Sequence, residues 1–238
     1  MADVKGVRES MKGMKDGAFI VIEYTGRIAG TGEIFDLTDE EVAKENRIHN
    51  PNTKYGPVTI IVGRNMILKS LEDAVRKMKL KEKRKIVLEP EEAFGKRDPK
   101  LLKVFSLAYF RKQKIAPLVG QIITLGDNVS GKVLSVSAGR VKIDFNHPLA
   151  GKTLEYEVKL KKEITDTKKK ASSMVCSMLG CGEEEVKVSV IGEKTIIEIP
   201  NGEKIPDDAK SKISESIREN VGNVKEVDII GKVANTKK

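Results

Sequence analysis

The sequence has no tryptophan, only two cysteines and two histidines among 238 residues, and aromatic side chains make up 4% of it. Each scarcity excludes something. Cys176 and Cys181, in CSMLGC, cannot make the disulfide framework of a small secreted domain. His49 and His147 lie far from them, and no second cysteine pair supplies zinc-ligand spacing, so the thiols read as reduced and structural. No run of eighteen apolar residues occurs, and MADVKGVRES lacks the apolar centre of a signal peptide, so neither a membrane span nor export is expected and the compartment should be the cytoplasm. GxSxG, P-loop, HExxH and dinucleotide fingerprints are all missing. Covalent, phosphoryl-transfer and metal-assisted mechanisms therefore have no visible machinery, and no cofactor is implied.

What is present is unevenly spread. All ten Phe and Tyr fall at or before Tyr156, so the last 82 residues cannot line an aromatic pocket. The net charge of +9 is concentrated as well: Lys and Arg against Asp and Glu count 17 to 16 over 1–94, 10 to 3 over 95–146, 4 to 4 over 147–166 and 13 to 12 over 167–238. A basic stretch of that kind suits nucleic acid, acidic protein segments or solvent.

Periodicity supplies the elements. AFIVIEYTGRI alternates and is rich in β-formers, which predicts a strand buried at its start. MILKSLEDAVRKM sets Ile67, Leu68, Leu71, Ala74, Val75 and Met78 at helical spacing. KRKIVLEP is a strand stopped by Pro90, and QIITL, NVSGKVLSVSAGRVKIDF and KTLEYEVKLKKEI are strands parted by turn residues. Beyond residue 166, TDTKKKASS reads as a linker into a short helix. A hairpin about Gly192, a helix opened by Pro206 and a closing strand follow, giving a small α+β domain expected to have its own core.

VIEYTGRIAGTGEIFD, GRNMILKSLEDAVRKM, VLEPEEAFG and LAGKTLEYEVKL, in that order, resemble the signature of the FKBP family of peptidyl-prolyl cis/trans isomerases. The gap between EEAFG and NHPLAG is similar to the insert-in-flap chaperone domain of the SlyD-type branch, and the whole layout resembles the long archaeal FKBPs. The resemblance implies an α+β protein in three parts. Residues 1–94 with 147–165 would form the isomerase domain, an antiparallel sheet wrapped on a helix. Residues 95–146 would be a mostly-β inserted chaperone domain, and 166–238 a C-terminal α+β domain that suggests homodimerisation.

By the same resemblance Tyr24, Phe35, Asp36, Ile67, Leu68, Phe94 and Tyr156 line a prolyl pocket, with Met66 and Leu71 also meeting substrate. Phe94 stands where the family usually keeps a tyrosine whose hydroxyl bonds a substrate carbonyl, so that donor is missing. Leu71 stands where the small eukaryotic members have tryptophan, which argues against tight macrolide binding. In the insert, Leu101, Leu102, Val104, Phe105, Leu107, Tyr109 and Phe110 of KLLKVFSLAYF are expected in part to fill a small core and in part to bind unfolded, proline-containing clients. A non-catalytic holdase is disfavoured by the intact Tyr24, Phe35 and Asp36. An RNA- or ribosome-associated module is disfavoured because the insert's aromatics bunch in one apolar run rather than interleaving with basic residues. SlyD-type proteins often carry a His- and Cys-rich tail; this chain ends VANTKK, so no metal is expected.

Overall fold

The computed structural model describes residues 13–126, 129–200 and 205–232. The strands, in chain order, are β1 (Phe19–Ile28), β2 (Ile34–Leu37), β3 (Val58–Ile61), β4 (Lys83–Leu88), β5 (Leu102–Ser106), β6 (Ile122–Leu125), β7 (Val129–Ser137), β8 (Arg140–Asp144), β9 (Leu154–Ile164), β10 (Lys187–Ile191), β11 (Lys194–Pro200) and β12 (Glu226–Lys232). The α-helices are α1 (Glu40–Glu45), α2 (Lys69–Arg76), α3 (Leu107–Lys112), α4 (Thr167–Leu179) and α5 (Asp207–Asn220). The architecture is thus α+β, as expected. Among the described residues no helix is long and apolar enough to cross a membrane.

The chain divides into two compact units. One holds the described residues up to Gly26, Ile34–Ile86 and those from Tyr156 onward; the other holds Arg27–Glu33 and Val87–Glu155. In the first, a five-stranded sheet runs in the order β2-β1-β9-β4, with β3 paired antiparallel to β1 through Phe19 opposite Ile61. Helix α2 buries Leu71 and Val75, the positions its 3.6-residue periodicity selects.

The four residues opening β1, Phe19 to Ile22, are all buried, so both faces of the strand are covered there. Phe19, Val21 and Ile61 belong to one apolar cluster with Ala171, Met174 and Val175 of α4 and with Ile197, Ile213 and Ile217 further on. Lys170 sets its ammonium 5.3 Å from the Phe19 ring centroid, a cation–π contact. The C-terminal α+β segment, a sheet of order β10-β11-β12 with β11 and β12 parallel, therefore shares its core with the first sheet rather than keeping a separate one. The expected linker is also mostly helix. Asp166 caps α4 by accepting the Lys169 N–H at 2.9 Å, and Ala171–Cys176 are buried, so capping and tertiary burial outweigh the polar, lysine-rich local sequence. Gly180, at φ +68°, ends the helix in the left-handed conformation that glycine adopts without a Cβ clash.

The second unit is organised on an antiparallel sheet of order β5-β8-β7-β6. One face buries Val133, Val141 and Ile143 against Phe110 and Ile123, with Phe105, Leu107 and Phe145 packed around them. Gly131 makes room for this: a Cβ there would lie 2.5 Å from Ile143 Cγ2 and 2.7 Å from Phe145 Cδ1.

Candidate active site

Strands β1, β2 and β9 bring Tyr24, Phe35, Asp36 and Tyr156 together. Thr38, buried at the end of β2, clamps the Tyr24 backbone from both sides: its hydroxyl accepts the Tyr24 N–H at 2.9 Å and donates to the Tyr24 carbonyl at 3.2 Å. The Thr38 N–H also donates to that carbonyl at 2.9 Å. Thus fixed, Tyr24 donates its hydroxyl to Asp36 Oδ2 at 2.8 Å. The Tyr156 ring meets Phe35 edge to face at 5.5 Å and 88°, and Tyr24 at 6.0 Å and 62°. Edge-to-face contact sets the positive rim of one ring against the negative face of the next and fixes their mutual orientation.

This packing needs Gly26. A Cβ at that position would fall 2.7 Å from Phe35 Cζ and 3.0 Å from Tyr156 Cε1. The signal was available in the sequence, since a glycine inside a strand pattern marks a close approach by another group.

The electrostatics keep both phenols protonated. Burial, then the hydrogen bond to the Asp36 carboxylate and that carboxylate's charge, raise the Tyr24 pKa well above the ordinary tyrosine value. Burial, followed by the Asp36 charge, pushes Tyr156 up to about 12. The cluster thus offers apolar ring surface, a neutral phenol engaged by an exposed carboxylate, and no activated nucleophile.

Ile67 and Leu68 lie half-buried at the entrance to α2, and Leu71 is buried one turn in. Met66 is exposed, but its thioether turns back to accept the Ile61 N–H at 3.3 Å. The segment 63–68 is held from inside the helix by Glu72, a residue absent from the sequence reading. Its buried carboxylate accepts the Gly63 N–H at 2.7 Å and the Asn65 N–H at 3.2 Å. Arg76 Nη2 approaches it at 3.5 Å while pairing with Asp16 at 2.7 Å. A glutamate among the apolar positions of an amphipathic helix was the clue, because an acid is buried only where it is bonded.

In the second unit Phe94 stacks face to face on His147, with centroids 4.1 Å apart and 4° between planes. His147 Nδ1 accepts the Leu149 N–H at 3.2 Å, so this histidine shapes its own turn. Gly151 donates to the Gly95 carbonyl at 2.8 Å, and Asp98 donates its N–H to Asn146 Oδ1 at 2.8 Å, so the segment between them leaves and returns at neighbouring points.

Of the expected client-binding residues there, Leu101, Val104 and Tyr109 are exposed and Leu102, Phe105 and Leu107 are partly buried. Phe110 is fully buried at the centre of the core and is withdrawn from that set, because the α3 face that carries it must close the small sheet. Leu118, Val119, Ile122 and Val129, which the sequence reading passed over, are exposed instead. Among the described residues no three His, Cys, Asp or Glu side chains are grouped as metal ligands.

Comparison with known proteins gives the family. A family model described as the FKBP26 IF domain matches residues 103–149. The short-type peptidyl-prolyl cis-trans isomerase of Methanocaldococcus jannaschii is 32% identical over 148 residues, covering 62% of this chain and 92% of the relative. The FKBP-type peptidyl-prolyl cis-trans isomerase SlyD of Helicobacter pylori is 31% identical over 142 residues, covering 59% and 69%. A probable FKBP-type 16 kDa peptidyl-prolyl cis-trans isomerase of Pseudomonas fluorescens is 34% identical over 116 residues, covering 47% and 73%. With relatives matched over so much of their length, the chain belongs to the FKBP-type peptidyl-prolyl cis-trans isomerases, on the branch that includes SlyD.

Proposed function

We propose that this isomerase turns X-Pro bonds in the apolar cradle formed by Tyr24, Phe35, Asp36 and Tyr156, with Ile67 and Leu68 completing the substrate contacts, and that its inserted domain holds the unfolded chains that carry those bonds. The observation that carries the first part is the Tyr24–Asp36 hydrogen bond set among edge-to-face rings. Rotation about the amide must break a resonance that imposes a barrier of about 18–20 kcal/mol. The planar amide is more dipolar than the twisted one, so a site that replaces water with ring surface destabilises the former relative to the latter. Each ~1.4 kcal/mol of that difference is tenfold in rate, and no bond to the protein is required. Asp36, kept at the rim by the Tyr24 phenol, supplies a fixed negative charge that orients the twisting amide.

The second part rests on the apolar side chains left uncovered on the insert, among them Leu118, Val119 and Ile122. Joined to the isomerase domain at both ends, the insert would raise the local concentration of a client's prolines. Refolding of a proline-limited protein, alongside isomerisation of a short prolyl tetrapeptide, tests both parts. The parent chain should accelerate both at catalytic concentrations. With residues 95–146 replaced by a short Gly-containing loop, tetrapeptide turnover should largely persist and protein refolding should fall about tenfold or more. Equal losses on the two substrates would reduce the insert to scaffolding, and no acceleration of either by the parent would refute the cradle.

A further inference from the structure

We propose that the outer face of the inserted sheet selects one class of client: extended segments in which aliphatic residues about four apart are separated by acidic ones. This rests on the chaperone reading above and specifies its substrate.

Strand register defines the face. Ile122 lies opposite Lys132, Lys132 opposite Asp144, and Asp144 opposite Leu102, which makes one row across the four strands. Val104 lies opposite Lys142, and Ser106 opposite Arg140, in the rows beside it. The intervening positions Val133, Val141 and Ile143 point the other way, into the core. Val104 is 60% exposed and Ile122 70%; Lys132 and Lys142 are exposed on the two strands between theirs, and Arg140 is exposed one row further on.

The face has aliphatic edges and a cationic middle. Its one carboxylate among these strand positions, Asp144, is buried, ion-paired with Arg97 and bonded to the Asn146 N–H at 2.9 Å, so it does not neutralise the lysines. Among the described residues no carboxylate pairs with Lys132, Arg140 or Lys142; the insert's other acids number two, Asp98 and Asp127, in the whole sequence. Asp98 is engaged in capping the turn at Lys100.

Geometry sets the spacing of the partner. The outer strands β5 and β6 are three inter-strand steps apart, about 14 Å at ~4.8 Å per step, which an extended chain covers in about four residues. A segment with aliphatic residues about four apart, laid along the row from Leu102 to Ile122 with Val104 beside it, would set its middle residue toward Lys132, with Lys142 in the adjoining row. Acidic residues there are attracted and basic ones repelled, and repulsion contributes as much to selectivity as attraction. Single-stranded nucleic acid fits less well, since the face offers aliphatic side chains rather than the aromatic platforms on which bases stack.

The test uses the full chain and two fluorescent, proline-free peptides with identical aliphatic residues, one spaced by Asp and the other by Lys, with binding followed by anisotropy. At low salt the Asp peptide should bind roughly tenfold more tightly, and the gap should close in 1 M salt, where the Debye length falls to about 3 Å. The triple variant Lys132→Glu, Arg140→Glu, Lys142→Glu should reverse the preference, and the milder Lys142→Gln should narrow it. Equal binding of the two peptides would overturn the selectivity while leaving the chaperone reading intact. Binding of neither would remove both. Displacement of the Asp peptide by single-stranded RNA at comparable concentration would make the face a nucleic-acid site and overturn the proposal.

Discussion

Removing the Glu72 carboxylate tests how far the candidate site depends on a residue whose carboxylate is engaged by the Gly63 and Asn65 N–H groups. Glu72 is 4% exposed and accepts two backbone N–H groups from a segment that holds left-handed conformations at Gly63, φ +86°, and Asn65, φ +51°. Glu72→Ala leaves both donors without their acceptor. A buried unsatisfied group costs about 1–3 kcal/mol, but Gly63 and Asn65 are themselves exposed, so water can replace part of the loss and the lower end applies to each. Together with the space vacated, the expected destabilisation is about 2–3 kcal/mol. At ~2–4 °C per kcal/mol for a chain of this size, Tm should fall by about 5–10 °C.

Glu72→Gln keeps one acceptor oxygen but turns an NH2 toward the other N–H, so it should lie between parent and alanine variant. Because segment 63–68 leads directly to Ile67 and Leu68, kcat/KM on a prolyl tetrapeptide, measured well below the lowered Tm, should drop about tenfold for Glu72→Ala and less for Glu72→Gln. Calorimetry and a protease-coupled peptide assay read the two effects separately. A lowered Tm with unchanged kcat/KM would show that the carboxylate stabilises the helix entrance without positioning the site. An unchanged Tm would refute the accounting of the two N–H groups.

Three further outcomes are expected. Asp36→Ala and Tyr24→Phe each remove one side of a partly solvated hydrogen bond worth about 1–2 kcal/mol, so each should lower kcat/KM by about five- to thirtyfold; a loss above ten-thousandfold, as for a missing nucleophile, would refute catalysis by a distributed cradle. Gly26→Ala forces a methyl to within 3 Å of Phe35 and Tyr156 and should cost about 1–3 kcal/mol of stability, with peptide turnover falling further than Tm implies, as paired denaturation and kinetic measurements would show. Tyr24 and Tyr156 both have raised folded-state pKa values, so their contribution to stability is complete below the ordinary tyrosine value near 10 and is lost as pH rises through the folded values, about 12 for Tyr156; at pH 11 the folded chain should therefore show less phenolate absorbance at 295 nm than the chain in denaturant, and equal absorbance would contradict the burial of these rings.

The elements with strong periodicity were legible because one pattern had one structural outcome. MILKSLEDAVRKM could bury its apolar stripe only as a helix, and α2 does so over Lys69–Arg76, although Ile67 and Leu68 precede it and Met78 follows it. NVSGKVLSVSAGRVKIDF alternates about a turn and becomes β7 and β8. The start of α4 was not legible, because TDTKKKASS is polar and its helical state depends on the Asp166 cap and on burial of Ala171–Cys176 beside residues some 150 positions earlier. The same long-range contact concealed the shared core. Yet FIVI carried a trace of it: four successive buried residues are too many for a strand with one solvated face, and they required a second layer that Ala171, Met174 and Val175 supply.

At the candidate site, ordered motifs picked out residues that the structure brings together, Tyr24, Phe35, Asp36 and Tyr156, and passed over those that hold them. Thr38, Gly26 and Glu72 act through a backbone clamp, a missing side chain and a buried pair of N–H acceptors. None of these roles is a property of residue type alone. Each depends on which group the fold places opposite, and only an anomaly in pattern betrays it: a glycine inside a strand, or an acid among a helix's apolar positions. The insert shows the complementary difficulty. KLLKVFSLAYF was expected to serve core and surface in part each, and β5 and α3 make the division: alternation sends Val104 outward beside Lys142 while the helix turns Phe110 inward. Whether an apolar residue meets a client or the core is settled by strand register, and a one-residue slip would exchange the two faces. The proposed selectivity for a client's charge would therefore reside in the pairing of Val104 with Lys142 and of Ile122 with Lys132, not in the hydrophobicity of either strand.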